Sequence, residues 1–140
     1  MKIYVICAVL LFAPAALGLF SNGIWDVLHA NEAKCQLNSG ASDASIEDAR
    51  RARKLSESPE MNAFAKCMLG IYNVMRPDGS INPDFQSYTV PTDVPNNTWR
   101  ISQKCITLGG TDSGDTARKI FNCYTENNQL VMAWTPKVSV

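Results

Sequence analysis

Apolar residues recur at helical spacing through most of this chain, and glycines, prolines and small polar residues punctuate them into six predicted helices. The clearest runs from Ser58 to Met75. Ser58 is placed to N-cap it, Pro59 suits its first position and Glu60 complements the positive end of its dipole. Phe64, Met68, Ile71, Tyr72 and Met75 form its apolar stripe, and Leu69 and Val74 widen that stripe, which predicts burial on more than one side. Pro77 bounds the helix, because the residue before a proline is pushed out of the helical region.

Ahead of it, Asn22 to Gln36 predicts a helix with Ile24, Val27 and Leu28 inward, stopped by Asn38-Ser39-Gly40. Ser45 and Asp48 resemble a capping box for a short basic helix ending at Leu55. Its cations Arg50, Arg51, Arg53 and Lys54 read as a solvated face in preference to an anion site. Pro77-Asp78-Gly79 predicts a turn, and Asn82-Pro83 opens a brief helix through Tyr88. A further helix from Asn96 to Leu108 carries Trp99, Ile101 and Cys105, and Gly109-Gly110 breaks it. The last, Asp112 to Asn127, sets Ala117, Ile120, Phe121 and Tyr124 on one face beside Cys123. No alternating β-branched run competes, so the fold class is all-α. Leu130 to Trp134 is apolar and stops before Pro136; left exposed it would be a sticky segment, so it is expected to pack back on the body.

Composition narrows the setting. Lys2 followed by the apolar run Ile3 to Phe12, too short to cross a bilayer, with Ala16 and Gly18 behind it, predicts a signal peptide cleaved after Gly18. Residues 19–140 then form one domain of 122 residues with 12 Lys+Arg against 13 Asp+Glu. That balance excludes nucleic acid as a partner and electrostatic adhesion to anionic membranes, and no later segment is apolar enough for stable insertion. Cys35, Cys67, Cys105 and Cys123 remain, an even count that reads as two disulfides in a secreted chain, with three connectivities open. No C-x-x-C occurs and the chain has one histidine, so neither a metal nor another cofactor is expected.

Catalysis finds little support. Asp26 and His29 lie three apart on the first helix, but a helical phospholipase would add a glycine-rich calcium loop and dense disulfides. A serine hydrolase would need a G-x-S-x-G elbow, which is missing. His29 reads as a surface residue and the protein as a non-enzyme. Asn96-Asn97-Thr98 is a glycosylation sequon, expected to be occupied in part at most.

The cysteine layout and the words around it resemble insect odorant-binding proteins of the pheromone-binding and general odorant-binding family. FAKCMLGIYNVMRPDGSIN is similar to the segment around that family's third cysteine, here Cys67. In CITLGGTDSGDTARKIFNCY, Cys105 and Cys123 resemble the fourth and sixth. The family's second and fifth cysteines would fall at Ala63 and Gly114, and since those two pair with each other, their joint loss matches the four-cysteine, minus-C branch.

The resemblance implies the pairs Cys35–Cys67 and Cys105–Cys123, a compact six-helix fold and an internal apolar cavity, with Ala63 and Gly114 facing each other across the core. On their own, Phe64, Met68, Ile71, Tyr72, Phe121 and Tyr124 are equally compatible with a solid core. With the resemblance they become the expected ligand lining, and Trp134 on the tail (residues 129–140) the expected closure at one end, opening in a pH-dependent way. The implied function is a secreted, extracellular carrier of small hydrophobic odorants or pheromones, monomeric or weakly dimeric, with a membrane odorant receptor as a further partner. Two alternatives stand beside it: a secreted interaction protein, and a non-olfactory lipid or hormone carrier in haemolymph, saliva or seminal fluid.

Overall fold

A computed structural model describes residues 23–82 and 98–134. The expected signal peptide, the brief helix beyond Asn82, the Asn96 sequon, the Trp99 side chain and the tail beyond Trp134 lie outside the described residues. Within them are five helices and no strand: α1 (residues 23–39), α2 (Asp43–Ala52), α3 (Pro59–Ile71), α4 (Thr98–Cys105) and α5 (Ser113–Glu126). The all-α expectation holds.

α3 begins as its sequence dictates. Ser58 is extended, its side chain accepts from the Met61 N–H, and Pro59 occupies the first turn, where no amide donor is needed. The helix ends at Ile71, four residues short of the predicted Met75. Asn73 turns left-handed at φ 61°, and the Val74 and Met75 amides both donate to the Leu69 carbonyl. The chain peels away early so that Met75 can bridge antiparallel to Ile81 across the Pro77-Asp78-Gly79 turn. Gly79 is obligatory there: its φ is +89°, and a Cβ would come 2.6 Å from Ser113 Cβ at the head of α5.

Other boundaries shift for similarly local reasons. α1 runs on to Ser39, stopped by Gly40 at φ +75°, whose amide donates to Gln36. α2 is capped by Ser42, which accepts from the Ser45 N–H, so Ser45 is inside the helix and the expected box at Ser45–Asp48 is not the cap. Arg53, left-handed at φ 52°, ends α2 before Leu55. α4 loosens into a turn after Cys105, ahead of the predicted Leu108. α5 matches its prediction within a residue, with Asp112 as N-cap and Asn127 as C-cap.

The core lies between α3 and α5, with α4 also against α5. Phe64 and Phe121 meet edge to face at 6.3 Å between centroids. Met61, Met68, Met75 and Met132, every methionine beyond the first residue, are buried. Two disulfides staple this arrangement, Cys35–Cys67 from α1 to α3 and Cys105–Cys123 from α4 to α5, with Cα separations of 5.5 and 5.6 Å. They are the pairs that the resemblance implied. For sequence separations of 32 and 18 residues the chain-entropy account gives each about 3–4 kcal/mol.

Candidate ligand-binding site

The expected lining residues divide into three groups. Phe64, Met68, Phe121 and Tyr124 are fully buried and belong to the α3–α5 core. Tyr72 is buried where α3 ends and donates its hydroxyl to the Val131 carbonyl at 3.2 Å, tying the helix to the C-terminal segment. Burial pushes its phenol above the usual tyrosine range, with the Asn31 side chain pulling it back. Ile71, half-buried, packs against the edge of the core and also lines a groove on the outer side of α3.

Inside the core, one feature departs from ordinary packing. Ser102 of α4 and Tyr124 of α5 are both fully buried, and among the described residues neither hydroxyl makes a hydrogen bond of good geometry. Burial raises the Tyr124 phenol above its usual range and a weak hydrogen bond with the Ser102 side chain draws it back, so the two hydroxyls lie close together with at most each other to bond to. Cys105 lies three residues beyond Ser102 and Cys123 directly precedes Tyr124, so the Cys105–Cys123 disulfide fixes the spacing of the pair. Buried hydroxyls without partners are costly, typically about 1–3 kcal/mol each. A ligand hydroxyl or carbonyl placed between them would recover that loss. Periodicity places Tyr124 on a buried face; Ser102, an ordinary polar residue in the sequence, gave no signal.

The C-terminal segment does pack back on the body. Leu130, Val131, Met132 and Ala133 are buried. Trp134 is half-buried, with the Arg53 guanidinium 5.4 Å from its ring centroid, so it rests against the end of α2. Polar contacts fix the backbone of the segment in addition to this burial. Glu32 of α1 accepts from the Ala133 N–H at 2.8 Å, while Arg50 of α2 donates to the Ala133 carbonyl at 2.8 Å, and the two side chains form an ion pair. Arg50 also donates to Glu47 at 2.9 Å. Desolvation of the Glu32 carboxylate outweighs the Ala133 hydrogen bond and the Arg50 charge, so its pKa is raised.

These contacts correct three expectations. Arg50 is buried and does not belong to a solvated face, although Arg51, Arg53 and Lys54 are exposed. The inward stripe of α1 runs through Leu28, Glu32 and Cys35, and Val27, expected inside, is 57% exposed. His29 is not a surface residue: its side chain is 14% exposed and its Nδ1 lies 3.9 Å from Glu32.

The expected Ala63–Gly114 pairing also needs correction. A Cβ built on Gly114 comes 3.1 Å from the Asn62 Cβ, so the head of α5 does rest on α3. Ala63, the next residue along α3, is exposed and lines the outer groove, so the approach of the two positions lies at the edge of the molecule and not across the core. Polar bonds hold this junction. Arg118 donates to the Asn62 side-chain amide oxygen Oδ1 at 2.8 Å and to Asp115 at 2.6 Å, and Lys66 donates to Ser113. The Thr111 N–H, then Arg118 and Lys119, hold the Asp115 carboxyl down at about 2.

Among the described residues no cluster could hold a metal ion, and no helix is long and apolar enough to cross a membrane. The family model described as PBP/GOBP matches residues 21–127. No curated protein matches the chain.

Proposed function

Since the chain belongs to the PBP/GOBP family, a family of carriers for small hydrophobic ligands, we propose that it carries a small, largely apolar molecule bearing a single hydrogen-bonding group, held between α3, α4 and α5. The observation that carries this reading is the buried Ser102–Tyr124 pair, two hydroxyls that among the described residues lack well-formed hydrogen bonds, whereas the other buried polar side chains of α5, Arg118, Asn122 and Thr125, are satisfied. Phe64, Met68 and Phe121 supply the surrounding wall, and the methionines around them repack readily to suit different shapes. Ile71 lies outside this site. Trp134 and the segment before it form its neighbour on the α1–α2 side, and movement of that segment is one route for ligand entry.

Burial supplies the affinity. At about 25 cal/mol per Å², covering roughly 250 Å² of apolar surface contributes roughly 6 kcal/mol. Lost motion offsets part of this, which places binding in the micromolar range. The ligand class fits odorants and pheromones carried through an aqueous secretion towards a membrane receptor, and the protein would be secreted and act as a monomer or weak dimer without catalysis. A lipid or hormone carrier in another secretion would use the same site, and expression mapping separates the two.

Titration with N-phenyl-1-naphthylamine, then displacement by a series of alcohols and their parent hydrocarbons, tests the reading. Uptake of the probe, with Tyr124→Phe weakening alcohols roughly tenfold and hydrocarbons little, is the expected result. Equal losses for both series would remove the hydroxyl pair from the site. Failure to take up the probe would favour the second reading, a secreted interaction protein, for which Leu37, 85% exposed on α1, offers a contact surface.

A further inference from the structure

Beyond the interior site, the outer face of α3 carries a second candidate. A groove of about 680 Å³ lies between the C-terminal half of α1, α3 and the segment that follows α3. That volume is in the range of small-molecule sites, roughly 300–1,000 Å³. Its room comes from missing side chains: Ala63 stands where the family resemblance expects a cysteine, and Gly70 adds nothing beyond its backbone. The nearest atom to a Cβ built on Gly70 is the Met75 carbonyl oxygen, at 3.9 Å.

The lining is amphipathic and one-signed. Ile71, Ala63 and Pro77 give it an apolar part, while Lys34, Lys66 and Arg76 give three cations, and no Asp or Glu lines it. Asp78, the acidic residue nearest in sequence to Arg76, is engaged by the Ser80 amide and hydroxyl. Lys66 spends one donor on Ser113 at 3.1 Å and keeps two. Asn38 points its amide at the Cys67 sulfur, a weak acceptor, at 3.8 Å. The cations therefore flank an apolar strip with no counter-charge among the lining residues.

We propose that this groove is a second binding site, for an amphipathic anion of the long-chain carboxylate type. The carboxylate sits among Lys34, Lys66 and Arg76, and the alkyl chain lies along Ile71, Ala63 and Pro77. Such a site differs from the interior one in two measurable respects: it demands negative charge, and salt weakens it.

Dodecanoate and dodecan-1-ol, both below the concentration at which they aggregate, serve as probes of the full chain by calorimetry and amide NMR. Dodecanoate is expected to shift the Gly70, Ile71 and Asn73 amides and to bind less tightly as salt rises. The double variant Lys34→Gln, Arg76→Gln should weaken that binding roughly tenfold. Both residues are exposed, and circular dichroism confirms that the variant folds. Dodecan-1-ol should leave the groove amides unmoved and ignore the substitutions. Dodecanoate affinity that is unchanged in the double variant, or shifts confined to the amides around Ser102 and Tyr124, would overturn the proposal. Because Tyr124→Phe acts on the interior and the Lys34→Gln, Arg76→Gln variant on the groove, failure there and failure here are read separately.

Discussion

Leu55 and Ala133 are buried in segments that follow α2 and α5, and each has its N–H and its C=O captured by side chains from helices. At Leu55 a single neutral amide does both: Asn122 of α5 accepts from the Leu55 N–H at 2.8 Å and donates to its carbonyl at 3.1 Å. At Ala133 the same task is divided between a carboxylate and a guanidinium on two different helices. The neutral clamp joins one helix to one segment. The ionic clamp joins α1, α2 and the C-terminal segment, three parts of the chain that no disulfide connects. An ion pair reaches further than one amide and can hold three elements at once, but it must be desolvated, and the raised pKa of Glu32 shows that cost. The segment beside the proposed ligand site is therefore held by the more vulnerable device.

The largest expected effect comes from removing one half of the ionic clamp. Arg50→Ala leaves the Glu32 carboxylate buried without its partner and should destabilise the protein by about 3–5 kcal/mol in urea denaturation. In a background with Trp25 and Trp99 replaced by Phe, the fluorescence of Trp134 should report early release of the segment. A loss below about 1 kcal/mol would mean that the clamp is solvated.

Asn122→Ala is the matching test of the neutral clamp. It leaves the Leu55 N–H and C=O without their partner, at a cost of roughly 2–4 kcal/mol, without early release at Trp134. If both variants released the segment equally, the two clamps would be one cooperative unit and the contrast between them would fall.

Glu32→Gln sharpens the contrast by keeping an acceptor for Ala133 while discarding the charge. A smaller loss is expected, about 1–2 kcal/mol. The sign of the pH dependence is informative. With its folded pKa above the unfolded one, Glu32 contributes most favourably at acid pH. That contribution declines as pH rises from the usual carboxylate range through the raised value. The Gln variant should lack that decline in stability curves measured across pH.

The smallest effect belongs to the head of α5. Asp115, held at about 2, favours the folded state at neutral pH, and this support is lost as pH falls from about 4 towards 2. Asp115→Asn should flatten the acid limb of the stability curve and leave the neutral region nearly unchanged. An unaltered acid limb would reassign it to other carboxylates.

How far the fold could be read in advance follows from which interactions are local. Ser58-Pro59-Glu60 and Asp112 determine where α3 and α5 begin, because a cap is satisfied within its own first turn. The stripe Phe64, Met68 and Tyr72 and the face Ala117, Ile120, Phe121 and Tyr124 are buried as their spacing predicts. The cysteines, through family resemblance, carried both disulfides. Position along a helix also marked Val27 as inward and Arg50 as outward, and both expectations failed. Glu32 occupies the buried stripe of α1 because Arg50 and the Ala133 backbone, 18 and 101 residues away, satisfy it there. Hydrophobicity assigns a charged residue to solvent; only a partner brought close by folding can make its burial tolerable. Ser102 is the same case with the opposite outcome, since its burial beside Tyr124 without a well-formed hydrogen bond exists only once α4 lies against α5. Local caps and apolar spacing thus belong to the sequence, whereas the clamp, the hydroxyl pair and the cationic groove arise from distant residues meeting in the folded chain.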